Sequence, residues 1–296
     1  MVPFITSRHT VTLHCTSVTF LLSELLAEDS LKIARERGYP EVYDRGDVAT
    51  MRTSHDEVRF GDTTEFRSFE VLAHTAGHIP GATMWEVNQD KRTVFTGDLH
   101  TLTMNLVGGA RPVPCDNLVI ESTYAGREHP DRPKLELDFL SRIEEVLDRG
   151  GKVVVPAFAI GRTQEVLMVL AKQQYDVWLD GMGKEVTKTY LRNPEYLKDP
   201  KSAVFLTGYQ VAGTNGRRLM DHGMVEFKGE KRKVECEVGW FDFSAHAGHS
   251  ELLKFIRECD PSKVVLMHGD NREALAKELE GEREVVMPKP DVEFEL

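Results

Sequence analysis

Five short motifs, spread over almost two hundred residues, each place a histidine, aspartate or glutamate at a strand end or in a tight turn. They are Gly77–Gly81, Thr96–Asp98, Val119–Thr123, Phe243–His246 and Met267–Asp270. Each motif alone is a weak signal, because histidine and aspartate beside glycine are common in turns. The ordered set is much more specific, and it is typical of the later part of a site that holds two metal ions.

Length, charge and cysteine content limit the class of protein. A chain of 296 residues can form one large α/β domain or two smaller ones. Its net charge of −11 argues against a protein that simply coats nucleic acid. If such a chain handles RNA, the phosphates must meet a local positive cleft or bound metal. The four cysteines form no closely spaced pair, which disfavours a zinc ribbon or disulfide framework. The lack of a membrane-length apolar run and of a signal peptide predicts a cytoplasmic location.

The pattern of helices and strands changes near Pro130 and again near Gly223. Before Pro130, an amphipathic helix from Thr16 or Ser17 to Gly38 precedes β-rich runs at 69–74, 82–87, 93–96 and 117–121. A face of this helix is apolar and consists of Leu21, Leu22, Leu25 and Leu26. The pattern indicates a sheet of neighbouring strands.

From Pro130 onward, helices alternate with apolar strands at 152–155 and 177–179, as in a parallel sheet covered on both faces. After Gly223 the expected elements are strands at 225–227 and 234–238, a helix at 250–258, a strand at 263–267 and a helix at 272–279. One domain interrupted by a second is the simplest arrangement.

Three residues are candidate metal ligands. His78 lies in a loop, because its glycine and proline neighbours prevent a helix, and a loop histidine can approach a metal ion closely. Asp98 ends a β-type run, where a carboxylate is costly unless it pairs with a cation. His268 closes another apolar strand. An ordinary turn or core role is the alternative for each residue taken alone.

A carboxylate and a histidine form a candidate proton-donating pair. Glu121 ends an apolar strand, and His246 follows a strand-like run that ends in serine and alanine. A proton-donating histidine usually needs a carboxylate to set its tautomer. We therefore expect His246 to act as a general acid toward a leaving oxygen, oriented by Glu121. His249 and Asp270 are weaker candidates for a supporting role.

Longer stretches resemble the β-CASP family, RNA-processing nucleases of the metallo-β-lactamase fold, and most of all its short archaeal members similar to the cleavage-and-polyadenylation endonuclease. Besides the five motifs, the resemblance rests on Glu121–Tyr124, Pro156–Glu165 and Leu206–Val211. It implies an α/β fold, a metallo-β-lactamase αββα sandwich with an incomplete N-terminal part and an inserted β-CASP parallel α/β domain. The implied domains are 1–127 (first part of the sandwich), 128–224 (inserted domain) and 225–296 (return segment).

The resemblance also implies roles for single residues. The family's zinc ligands, with the aspartate bridging two zinc ions, correspond to His78, Asp98 and His268. Its catalytic residues correspond to Asp98 and to the leaving-group pair, Glu121 and His246. RNA contacts are expected at Arg162, Gln210 and Ser244, since guanidinium groups suit phosphate.

The activity that the resemblance implies is zinc-dependent hydrolysis of single-stranded RNA, in mRNA 3′-end processing or RNA decay. Endonucleolytic and 5′-to-3′ exonucleolytic cleavage both stay open. The implied partners are single-stranded RNA and either a second copy of the chain or an RNA-processing complex, without a membrane.

Two features depart from the family pattern. The His-x-His-x-Asp-His cluster, which supplies four ligands and opens the family's site, is absent from the 296 residues. A ribonuclease gene is expected to encode it upstream of Met1. The join at Leu197–Ala203 also lacks a strand–helix segment that relatives carry.

Two other hypotheses stand beside the ribonuclease. The first is a catalytically inactive RNA-binding or scaffold subunit of an RNA-processing complex. The second is a small-molecule hydrolase of the same broad fold, which the 128–224 insertion and the Phe243–His246 motif disfavour.

Overall fold

A computed structural model describes residues 1–173, 175–179, 203–207, 214–227 and 230–296. These residues form two compact units. The first comprises Met1–Thr103, Val107–Gly126 and His249–Leu296, and the second comprises Met104–Leu106 and Arg127–Gly248.

The elements follow one another along the chain in three groups. The first unit begins with α1 (Val2–Arg8), β1 (Leu13–Cys15), α2 (Ser17–Arg37), α3 (Arg45–Thr53), β2 (His55–Glu57), β3 (Thr63–Glu65), β4 (Glu70–Thr75), β5 (Thr83–Asn88), β6 (Arg92–Phe95) and β7 (Asn117–Glu121). The second unit contains α4 (Arg132–Asp148), β8 (Val153–Val154), α5 (Arg162–Leu170), β9 (Ala203–Thr207), α6 (Asn215–His222), β10 (Met224–Phe227), β11 (Glu230–Lys233) and β12 (Glu237–Phe241). The first unit ends with α7 (His249–Cys259), β13 (Lys263–Met267), α8 (Arg272–Glu278) and β14 (Glu284–Val286).

A seven-stranded mixed sheet forms the first unit, in the order β14-β13-β7-β6-β5-β4-β3. Strands β14, β13, β7 and β6 are parallel, and β5, β4 and β3 each run antiparallel to the preceding neighbour. The parallel part of the sheet is buried, and five side chains on its strands have no exposed surface: Leu118, Ile120, Val264, Val265 and Leu266. Because the carboxyl ends of β6, β7 and β13 lie at one edge, the residues that follow these strands meet there.

Helix α2 begins and ends at the residues that the sequence predicts. The Thr16 hydroxyl accepts a hydrogen bond from the Thr19 N–H at 3.2 Å, and Gly38 ends the helix with a left-handed φ of 67°. The predicted apolar face does not pack into a core. Three of its leucines expose 45 to 63% of their surface: Leu21, Leu25 and Leu26.

The second unit contains a parallel sheet in the order β12-β9-β8 and a hairpin of β10 and β11. Four phenylalanines with edge-to-face ring contacts, at centroid distances of 5.0 to 6.1 Å, form its core: Phe139, Phe205, Phe241 and Phe243. Such a pair contributes about 0.5–1.5 kcal/mol beyond area burial. This core fixes the start of the Phe243–His246 motif.

One predicted strand is wrong, and another overlaps an observed strand only at its last two residues. Residues 175–179 adopt no regular structure, and Trp178 exposes 92% of its surface, so the apolar run there covers no sheet. The run 234–238 lies mostly between β11 and β12, because Val234 and Cys236 bury their side chains in a small apolar cluster instead of extending one ladder. Gln210 and residues 197–202 of the predicted short join lie outside the described residues.

The compact units divide at residues 126/127 and 248/249. The first division lies beside the expected domain boundary at 127/128. The second lies beyond the expected boundary at 224/225, because β12 pairs with β9 of the second unit. The α/β class with a large mixed sheet is confirmed, whereas the αββα sandwich with an inserted β-CASP domain stays a prediction. In the described part of the chain, no helix has the length and apolar character needed to span a membrane.

Candidate metal centre

The Asp98 carboxylate lies between two histidine side chains at the carboxyl edge of the first unit's sheet. Its Oδ1 is 3.0 Å from His268 Nδ1, and its Oδ2 is 3.8 Å from His78 Nε2. The exposed fraction of the side chain rises from 17% at His78 to 41% at Asp98 and 65% at His268. The three predicted ligands therefore meet, and their cluster opens to solvent on the side of His268.

A glycine allows the loop of His78 to lie against the loop of Asp98. Gly77 and Leu99 form an antiparallel β-bridge between these loops. Gly77 has a φ of 70°, and a Cβ there would lie 2.2 Å from the His100 carbonyl oxygen. Only glycine tolerates both the left-handed backbone and this close approach, so Gly77 determines how near the two ligand loops come.

Glu121 ties the end of β7 to the loop of Asp98. Its Oε1 accepts a hydrogen bond from the Leu99 N–H at 2.5 Å, and the residue is 3% exposed. A buried carboxylate is costly unless it accepts such bonds. Glu121 therefore holds the residue next to Asp98 in place, a positioning role that the sequence analysis did not identify.

His268 follows β13 in a backbone conformation that residues other than glycine rarely adopt. Its φ is 45°, and a sparsely populated conformation of this kind costs about 1–3 kcal/mol. The His268 carbonyl accepts hydrogen bonds from the Ser122 N–H and the Thr123 hydroxyl, both at 3.2 Å. A Cβ on Gly269 would lie 2.2 Å from the Ser122 carbonyl oxygen. The strained turn is thus held from the end of the neighbouring strand.

Of the two weaker candidates, His249 has a defined role at the start of α7. Its Nδ1 accepts a hydrogen bond from the Gly126 N–H at 2.9 Å. This bond joins the two parts of the first unit where the chain leaves it and returns. A supporting role for Asp270 stays a prediction.

Three other predicted site residues belong to the second unit. Arg162 is the first residue of α5 and is buried, and Ser244 and His246 follow β12. The Ser244 Oγ accepts a hydrogen bond from the His246 N–H at 3.2 Å, and the Ser244 N–H donates to Asp242 Oδ1 at 3.2 Å. Asp242, Ser244 and His246 therefore form one tight turn.

His129 contacts this turn, and the sequence analysis did not identify it. Its Nδ1 lies 3.0 Å from Asp242 Oδ2, and its Nε2 lies 2.9 Å from the His246 carbonyl oxygen. No spacing or turn signal pointed to it, since it precedes Pro130 and lies 113 residues before Asp242 in sequence.

The donor atoms around Asp98 are of the kinds that zinc binds, since imidazole nitrogen and carboxylate oxygen are common zinc ligands. The two histidines contact different oxygens of the Asp98 carboxylate, His268 at 3.0 Å and His78 at 3.8 Å. A zinc ion usually has about four ligands, so two zinc ions would need more donors than these three residues supply.

A mixed sheet whose parallel strands end near an aspartate that lies between two histidines is an arrangement typical of metal-dependent hydrolases. Comparison with known proteins agrees. Residues 231–288 match the family model described as a Zn-dependent metallo-hydrolase RNA specificity domain. A crystal structure of a protein of unknown function from Enterococcus faecalis V583 has a TM-score of 0.54, at 13% identity, and covers 94% of this chain and 74% of its own. That likeness supports the fold alone.

Sequence relatives give the family. The chain is 31% identical to RNase aCSPSF2 of Saccharolobus solfataricus, over 95% of this chain and 69% of that protein. It is 30% identical to Probable RNase MJ4 of Methanocaldococcus jannaschii, over 88% of this chain and 76% of the relative. Transcription termination factor FttA of the same organism is 26% identical over 88% of this chain and 55% of its own length. The chain belongs to the β-CASP family of metallo-β-lactamase-fold RNA-processing nucleases, and the predicted resemblance is confirmed.

Proposed function

We propose that this chain is a zinc-dependent RNA-processing protein that hydrolyses phosphodiester bonds in single-stranded RNA, in mRNA 3′-end processing or RNA decay. The observation that carries the proposal is the Asp98 carboxylate between His78 and His268. Family membership supports it, because the relatives include proteins named as RNases and an RNA specificity domain matches residues 231–288.

In this proposal three residues hold the metal ion and two others position the Asp98 loop. When bound, zinc would activate water for attack at neutral pH and would offset charge on the phosphate. His78, Asp98 and His268 would hold the ion, with each Asp98 oxygen directed at a different histidine. Gly77 and Glu121 keep the Asp98 loop at its distance from the other ligands.

Proton transfer to the leaving oxygen is assigned to His246, with Glu121 as the carboxylate that orients it. The support is the family correspondence together with the chemistry of the pair, since a general acid contributes typically about 10²–10⁴-fold to rate. RNA phosphates are assigned to Arg162, Gln210 and Ser244 on the same grounds.

Cleavage of end-labelled single-stranded RNA by the purified chain tests the proposal. We expect cleavage with added zinc and its loss on chelation or in the variants Asp98→Asn and His246→Ala. Asp90→Asn, at an exposed turn, is the matched control and should cleave normally. Internal fragments indicate an endonuclease, and mononucleotides released from the 5′ end indicate an exonuclease. Unchanged cleavage by Asp98→Asn would contradict the proposal.

A second candidate function is a catalytically inactive RNA-binding or scaffold subunit of an RNA-processing complex. It is favoured by the small number of candidate ligands at the described site, where His78, Asp98 and His268 are fewer than two zinc ions need. Elemental analysis separates the candidates. Bound zinc together with RNA cleavage excludes the scaffold, whereas RNA binding with neither zinc nor cleavage supports it. Measuring the molecular mass in solution tests whether the chain forms a homodimer. The cytoplasmic location stays a prediction.

A further inference from the structure

The turn that carries His246 is built from hydrogen bonds within the second unit. Asp242 Oδ1 accepts from the Ser244 N–H, and Ser244 Oγ accepts from the His246 N–H, each at 3.2 Å. His129, in the segment before α4, contacts both ends of this turn. Its ring joins the Asp242 carboxylate to the His246 backbone.

Both ring nitrogens of His129 face oxygen atoms. The His246 carbonyl oxygen can only accept, so His129 Nε2, at 2.9 Å, carries the hydrogen of that bond. Nδ1 lies 3.0 Å from Asp242 Oδ2, and a proton must lie between these two atoms for them to bond. With both contacts made, the ring is held at both of its nitrogens.

Burial and packing strengthen this contact. The side chains of His129 and Asp242 expose 15% and 3% of their surface, and a hydrogen bond to a charged group is stronger away from water. A Cβ on Gly248 would lie 3.2 Å from His129 Cδ2, so the chain just beyond His246 packs directly on the ring. Arg132, three residues after His129, contacts the start of the Phe243–His246 motif, since its guanidinium lies 4.5 Å from the Phe243 ring centroid.

We propose that His129 is a positioning residue for the reaction, holding the His246 backbone so that the imidazole of His246 meets the leaving oxygen. This inference rests on the proposed function, in which His246 is the general acid. His129 acts through His246 and does not touch the reacting atoms, because both its nitrogens are engaged within the turn. Misplacing a catalytic group by about 1 Å can cost about 10²-fold in rate.

The first test does not depend on activity. Hydrogen exchange of the backbone amides in residues 243–248 is compared between the unsubstituted chain and His129→Ala. We expect exchange at the His246 amide to rise at least about tenfold, as its turn opens more often. His222→Ala, an exposed histidine at the end of α6 in the same unit, is the control and should leave this exchange unchanged. Unchanged exchange in His129→Ala overturns the proposal.

The second test separates positioning of the acid from general weakening of the fold. RNA is compared with an analogue in which sulfur replaces the leaving oxygen, since a thiolate leaves without a proton. For His129→Ala we expect kcat on RNA to fall about 10–100-fold with KM within about twofold, and the loss to shrink to within about threefold on the sulfur analogue. His129→Gln, which keeps a donor toward the His246 carbonyl, should recover part of kcat.

The outcomes for the proposed function and for His129 are distinguishable. His246→Ala must show the same dependence on the leaving group, and if it does not, the assignment of His246 as general acid fails. An equal loss on both substrates in His129→Ala overturns the positioning role alone. If the unsubstituted chain cleaves neither substrate, the proposed function fails, and hydrogen exchange alone decides whether His129 holds the turn.

Discussion

The Glu121 carboxylate accepts a hydrogen bond of 2.5 Å from the Leu99 N–H, one residue beyond Asp98. Through this bond the end of β7 controls the loop that supplies the central ligand. Glu121 therefore has a structural task in the first unit besides the orienting role assigned to it in catalysis.

Replacing Glu121 should separate these two tasks. Glu121→Ala leaves the buried Leu99 N–H without its acceptor, and we expect a loss of about 1–3 kcal/mol in the free energy of unfolding, with weaker zinc binding. Glu121→Gln keeps an acceptor oxygen, so we expect a loss below about 1 kcal/mol, with RNA cleavage still strongly reduced. Urea unfolding and zinc titration measure both effects. Glu280→Ala, at an exposed position, is the control. Equal stability of the alanine and glutamine variants would refute the positioning task.

Gly77→Ala should destabilise the first unit and weaken zinc binding together. The added Cβ would meet the His100 carbonyl oxygen at 2.2 Å, and the φ of 70° adds a cost of about 1–2 kcal/mol. We expect a total loss of at least about 3 kcal/mol in urea unfolding, because the clash forces the two ligand loops apart.

Gly61→Ala provides the matched control for Gly77. Gly61 has a φ of 91°, and no heavy atom lies within 4 Å of a Cβ built there. Its substitution therefore reports the backbone cost alone and should leave zinc binding unchanged. A loss of stability in Gly77→Ala no larger than in Gly61→Ala would show that the close approach to His100 is unimportant.

His268→Gly should weaken zinc binding and slightly raise the stability of the zinc-free chain. Glycine removes the strain of the φ of 45°, and its larger unfolded-state entropy offsets part of the gain, so we expect stability without zinc to rise by at most about 1 kcal/mol. Zinc affinity should fall at least about tenfold, since a ligand is lost. Asp291→Gly, at a φ of 60°, is the control that should leave zinc affinity unchanged. Retained zinc affinity in His268→Gly would exclude His268 as a ligand.

The second unit should lose stability in acid through Glu136. Burial alone would raise the pKa of this carboxyl, but hydrogen bonds from Lys172, Arg132 and Asn105 together outweigh burial and hold the pKa below its usual value. A lowered folded-state pKa gives stability that is present above the unfolded pKa of about 4.5 and is lost as pH falls through the folded value.

Urea unfolding of the unsubstituted chain and of Glu136→Gln checks this pH dependence. The difference in the free energy of unfolding should be largest near pH 7 and should shrink as the pH falls below about 4.5. Asp138→Asn, at an exposed position of α4, is the control, whose difference from the unsubstituted chain should stay small. A difference for Glu136→Gln that is constant with pH would contradict the assignment.

Local elements of this fold were predictable from the sequence because their signals are local. The cap at Thr16 and the glycine at position 38 correctly bounded α2, and the strand ending at Met267 was predicted at its observed limits. The runs at 177–179 and 234–238 misled, because an apolar sequence has the same pattern whether it pairs in a sheet, fills a small cluster or lies exposed.

The sequence by itself determined the family, and it predicted His78, Asp98 and His268 as metal ligands, because the order of short motifs is specific even where each motif is weak. Only the tertiary structure decided the hydrogen bond from Leu99 to Glu121, the close approach at Gly77 and the contact of His129 with the turn of His246. These contacts join residues that are distant along the chain, and such contacts depend on how the chain packs and leave no periodic signal in the sequence.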